Sequence, residues 1–194
     1  MNCYRRRDTA LHMIEIAVPD IIDAILPAES RKLAKNTLER VRDAELRVAT
    51  AESCTAGLLA AVITNVEGCG HVFDRGFVTY ELRAKCEMLG LAENIVEDNA
   101  AVNPAVAEAM ADAALAKSNA DLAIGVTGFA GKCKDDQEEG LVFIGCATKG
   151  RSTRVREEHY GANGRDAIRQ AALHTVFEMM NEAMDDLGKA PAND

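Results

Sequence analysis

The sequence has no tryptophan, and aromatic residues fill only 4% of its 194 positions. Its core must therefore rest on Ala, Val, Leu, Ile and Met, which favours helices packed closely on a sheet over an aromatic-rich sandwich. No apolar run of about 18 residues occurs, so no membrane-spanning helix is expected. Cysteines never pair as C-x-x-C. Cys3, Cys54, Cys69, Cys86, Cys133 and Cys146 stand singly, which argues against a zinc ribbon and fits free thiols in a reducing cytosol. Positive charge is also short: 22 Lys and Arg face 31 Asp and Glu, for a net charge of -9. Such a chain repels a polyanionic backbone unless it carries a basic stripe, and the one tight basic run is Arg5-Arg6-Arg7. No nucleic-acid partner is expected. Asp8, Glu15, Asp20 and Asp23 interrupt the first apolar stretch, against a secretory signal, so the expected location is the cytoplasm. His12, His71, His159 and His174 lie far apart and make no metal spacing.

What is present is the ordinary mixture of a globular domain, 48% hydrophobic and 27% charged. Residues 1–28 read as a helical extension, interrupted at Pro19 and stopped near Pro27. A domain follows over 29–188, and 189–194 read as a disordered tail. Within the domain the pattern predicts a helix over 29–43 and a short buried strand over 46–50. A small polar turn over 52–57 leads into a helix over 58–66. A strand over 72–80 and a short helix over 83–89 closed by Gly90 come next. Asn103-Pro104 is a good helix start, with a side-chain cap before proline at the first helical position. A strand over 121–126, a hairpin over 141–148 and 153–158, and a helix over 163–187 complete the chain. Strands alternating with helices before a late hairpin predict a single three-layer α/β/α domain with a mixed, mostly parallel sheet.

Three segments have the residues for chemistry. Ser53 lies at a strand-to-helix turn, where the first free amides of a helix can hold a developing oxyanion. Alternatively it caps that helix. Cys54 beside it is a second possible nucleophile or a small buried residue. Tyr80 ends a strand and Lys85 follows in the next helix. A lysine in a partly dry site loses its proton near neutral pH and serves as a base; elsewhere it is a surface residue. Thr127-Gly128-Phe129-Ala130-Gly131 follows an apolar strand, and open parallel sheets place ligands at the carboxyl ends of their strands. Alternatively those glycines only serve a turn.

Taken in order, these motifs resemble the CinA C-terminal family, whose stand-alone members are nicotinamide mononucleotide deamidases. The family motif T-A-E-S-C-T-G-G stands here as Thr50 to Gly57, with Ala56 for a glycine. Its V-T-Y and A-K segments stand as Val78-Thr79-Tyr80 and Ala84-Lys85, and its G-A-V-S as Ala100 to Asn103. Its V-T-G-I-A-G stands as Val126 to Gly131, with Phe129 for Ile. The resemblance implies that Ser53 is the nucleophile and Lys85 the base, with Tyr80 and Thr127 as polar partners. It places Cys54, Thr55, Gly57, Gly128 and Gly131 around a small nucleotide substrate. Arg165 and Arg169 match basic positions where a guanidinium suits a phosphate. No metal or organic cofactor is implied, and a homodimer is. Two departures concern the substrate: the family's Gly- and Pro-rich loop is here the charged stretch 132–140, and its Ser-Asn after the tyrosine is Glu81-Leu82. A Ser–Lys hydrolase of another amide and a non-catalytic nucleotide sensor remain as alternatives.

Overall fold

The computed structural model describes residues 25–97, 101–132 and 137–187. The expected extension therefore lies outside the described residues except for its last four positions, and the expected tail lies wholly outside them. Of those four positions, Leu26 is buried in the main core.

Five strands form one sheet: β1 (Val48–Glu52), β2 (Phe73–Val78), β3 (Leu122–Gly128), β4 (Leu141–Thr148) and β5 (Arg154–His159). Their order across it is β2-β1-β3-β4-β5. β1 pairs parallel with β2 and with β3, whereas β4 pairs antiparallel with β3 and β5. Only β4 is reversed, so the sheet is mixed with four strands pointing one way. All five residues of β1 are buried, as a central strand requires.

Strand alternation sorts the core into two layers. On one face Val48, Leu122, Ile124, Val126, Val142 and Ile144 meet the apolar sides of α1 (Ala28–Asp43), α2 (Leu58–Asn65) and α6 (Arg165–Leu187). On the other face Ala49, Ala51, Ala123 and Ala147 meet α5 (Pro104–Ala116). That second face is made of small residues because α5 lies almost on the backbone. A Cβ on Gly125 would stand 2.5 Å from the Ala107 carbonyl oxygen and 2.6 Å from the Ala111 nitrogen, and one on Gly145 would also strike Ala107.

The elements between β2 and α5 differ most from expectation. α3 (Leu82–Ala84) does not continue as a regular helix but widens into one π-helical turn over Lys85–Leu89, closed by Gly90 at a φ of 78°. A short α4 (Glu93–Val96) follows. β1 extends to Glu52, two residues past the expected strand, because its ladder continues through the Thr79 amide to the Glu52 carbonyl. Asn103 caps α5 as expected, its Oδ1 accepting from the Val106 amide at 2.9 Å.

Candidate active site

The site grows from the carboxyl end of β1. Glu52 there is fully buried, and its carboxylate accepts from the Gly57, Leu59 and Ala60 amides at 2.9–3.0 Å. Thr50 Oγ1 adds a fourth donor at 3.3 Å. Those amides are the orphan donors that begin α2, so the buried carboxyl oxygens meet a helix's positive end. The turn between is held tight: Ala56 and Gly57 both have positive φ, 55° and 88°. Ser53 sits in this turn, and its amide continues the ladder onto the Val126 carbonyl. Its hydroxyl caps nothing in α2. The helix-cap reading of Ser53 therefore fails, because Glu52 does that work.

The leading amides of α2 were expected to face a reacting oxygen, and Glu52 occupies three of them. The Cys54 and Thr55 amides in the same turn have no acceptor among the described residues.

Ser53 Oγ instead meets Lys85 Nζ at 3.1 Å. The amine also contacts the Thr79 and Tyr80 carbonyl oxygens at 2.9 and 3.1 Å. A neutral amine has two N–H groups and one lone pair. As an ammonium, Nζ donates to all three oxygens; as a neutral amine its two N–H groups would serve the carbonyls and its lone pair would face the serine proton. Lys85 is 1% exposed, and burial lowers its pKa more than the charges of Cys54, Glu81 and Cys86 raise it. The π-helical turn sets this meeting, since it carries Lys85 inward beneath the carbonyls at the end of β2.

The other expected residues divide. Tyr80 is 62% exposed and lines the cavity, and its main-chain carbonyl is the group that meets Lys85. Thr127 is buried, and its hydroxyl donates to the Ala101 carbonyl at 2.6 Å, pinning a residue with φ of 62°. Cys54 is buried, and its thiol is pushed up to about 12 by desolvation, which disfavours the thiolate that a nucleophile needs. Cys54, Gly128, Gly131 and Arg165 line one cavity of about 490 Å³ together with Ser53, Tyr80 and Thr127. Thr55, Gly57 and Arg169 do not line it. The Thr55 hydroxyl is buried without a partner, Gly57 serves the Glu52 cap, and Arg169 Nε donates to the Cys54 carbonyl at 2.8 Å. Arg169 thus braces the serine turn from behind.

Sequence reasoning missed Glu52 as the helix cap and Val102 as cavity wall, whereas Glu81 and Gln137, which also line the cavity, fall in the two departures that concern the substrate. Glu52 left one signal, a carboxylate shortly before an apolar helix. Among the described residues no group of three or more His, Cys, Asp and Glu is placed to hold a metal ion. No helix among them is long and apolar enough to cross a membrane.

Comparison with known proteins adds the family. Residues 30–184 match the model of the CinA C-terminal domain. A CinA-like protein of Akkermansia muciniphila is 42% identical over 159 residues, covering 79% of this chain and 38% of that protein. The crystal structure of the competence/damage inducible protein CihA from Agrobacterium tumefaciens superposes with a TM-score of 0.77 at 36% identity, covering 82% of this chain and 98% of that one. A CinA superfamily protein from Escherichia coli gives 0.74 at 27% identity, covering 81% and 93%. The chain spans about a third of the length of the curated relatives it matches, 30%, 38% and 36% for three of them. It spans nearly all of these two solved structures.

Proposed function

This chain belongs to the CinA C-terminal domain family, and from that membership and the geometry of the site we propose that it deamidates nicotinamide mononucleotide to nicotinic acid mononucleotide and ammonia. The observation that carries the reading is the buried Lys85 amine, 3.1 Å from Ser53 Oγ with two carbonyls holding its other directions.

In this mechanism neutral Lys85 takes the proton of Ser53 as Oγ attacks the carboxamide carbon. A C–O bond forms, and the carbonyl electron pair moves to the oxygen. The Cys54 and Thr55 amides, which have no acceptor among the described residues, are the candidate donors to that oxyanion. Collapse breaks the C–N bond, and Lys85 returns its proton to the departing nitrogen, so ammonia leaves. Water then attacks the acyl ester with Lys85 again as base, and Ser53 regains its proton. Arg165 and Lys132 at the cavity wall supply positive charge for the phosphate. Thr127 acts by fixing the Ala101–Val102 wall rather than by touching the reacting atoms.

Ammonia release from the mononucleotide tests this. Wild-type protein is expected to turn it over, with Ser53→Ala and Lys85→Met reduced to the background hydrolysis rate. Release by Ser53→Ala equal to wild type defeats the reading. Glu81 and Gln137 in the cavity wall favour one second reading, the same Ser–Lys chemistry on a different amide. Turnover of another amide, with none of the mononucleotide, selects it. A location in the cytoplasm and assembly as a homodimer belong to the same proposal.

A further inference from the structure

Two opposite charges line the cavity without meeting each other. Glu81 lies on the wall beside Tyr80 and Leu82, immediately after the carbonyl that holds Lys85. Its carboxylate has no ion-pair or hydrogen-bond partner among the described residues. The nearest basic side chain in sequence, Arg83, is engaged by Glu87 at 2.6 Å. On the Gly131 side of the cavity the Arg165 guanidinium lies against Gly131, 3.0 Å from where a Cβ would stand, and forms no ion pair among the described residues either. Lys132 adds a second positive charge to that wall.

A cavity with an unpaired anion in one wall and unpaired cations in another fits a ligand carrying the reverse arrangement. We propose that Glu81 is a specificity-determining residue that selects a positively charged ring carboxamide over a neutral one. The site then takes a zwitterion, cationic at the ring that bears the amide and anionic at its phosphate. This inference rests on the deamidase reading and names its substrate class more narrowly. Nicotinamide mononucleotide has that form: its pyridinium nitrogen is permanently charged, and its phosphate is an anion at neutral pH. Tyr80, exposed beside Glu81, offers an aromatic face to the same cation. Glu81 stands where the serine of the family's Ser-Asn pair does, so the selection belongs to this chain's own residues.

Glu81 suits a clean test. Its side chain caps no helix, and only its carbonyl enters the backbone network, accepting from the Lys85 amide. Glu81→Gln therefore removes the charge and leaves the fold. The probes are nicotinamide mononucleotide and its neutral-ring isostere, 3-carbamoylphenyl C-riboside 5′-phosphate, titrated calorimetrically into Ser53→Ala protein, which binds without turnover. Ser53→Ala is expected to bind the cationic ring about three- to tenfold more tightly than the isostere, the range for a charge pair in a solvent-open cavity. Ser53→Ala/Glu81→Gln is expected to bring that ratio close to one by weakening the mononucleotide alone. An unchanged ratio, equal weakening of both nucleotides, or no binding of either overturns the inference. The deamidase reading fails separately, if wild-type protein releases no ammonia. A preserved binding ratio in that event leaves the charge selection standing without the chemistry.

Discussion

Lys85 sits where an ammonium is poorly solvated, and that bears on the pH dependence of both the proposed activity and stability. Burial lowers its pKa in the folded state. The proposed deamidation needs the neutral amine, so its rate is expected to climb with pH as Lys85 loses its proton, below the ordinary lysine value of about 10.4. A pH–rate profile flat across the acid side would remove Lys85 as the base. Stability follows the same sign. Between its lowered folded pKa and about 10.4, Lys85 binds fewer protons folded than unfolded, so folding gains as pH rises. Wild-type stability relative to Lys85→Met is expected to increase with pH through that window, by at most about 1.4 kcal/mol per pH unit. Denaturant titrations at several pH values measure it. A neighbouring residue shows backbone cost instead. Ala56 is exposed at φ 55°, a region where a Cβ is unfavourable and glycine is free. Ala56→Gly is expected to stabilise the protein by about 0.5–1 kcal/mol after the added chain entropy is subtracted, read as a higher denaturation midpoint.

Single elements place these residues. β1 delivers Ser53, α2 is started by the carboxylate just before it, and the π-helical turn swings Lys85 into reach. Glu52 joins the halves: its side chain holds α2, and its carbonyl holds Thr79, whose own carbonyl holds Lys85. On the opposite face α5 depends on absent side chains. A Cβ at Gly145 would run into the Ala107 backbone, which cannot rotate aside as a flexible side chain does. Gly145→Ala is expected to cost roughly 2 kcal/mol or more, since α5 must lift from the sheet. Equilibrium unfolding with no loss of stability would show that the helix has room to move. Because α5 follows the Ala101–Val102 wall, that variant is also expected to loosen the cavity.

At the scale of the molecule, a net charge of -9 surrounds a cavity with its own local polarity. The proposed chemistry draws its base from a desolvated amine and its nucleophile from a serine. Neither role calls on a bound cation. Ammonia release is therefore expected to survive exhaustive chelation with EDTA, and loss of activity restored by a divalent ion would count against the Ser–Lys mechanism. The curated relatives are longer than the matched region, which covers 30%, 38% and 36% of three of them.

Local pattern in the sequence determined most of the architecture. The alternation of strands with helices, the Asn103 cap, the late hairpin and the sheet's mixed direction were legible because each rests on a short run of neighbouring residues. The pairing of Ser53 with Lys85 was suggested only by family motifs, since the two are 32 positions apart. Only the tertiary structure decided what those groups touch. It gave the helix start to Glu52 rather than Ser53 and turned Arg169 onto the Cys54 carbonyl instead of the cavity. It also brought the Tyr80 carbonyl, not its hydroxyl, to the amine. The physical reason is that hydrogen bonds and desolvation depend on distances across elements, whereas the residue types along one strand or helix record only which face is buried.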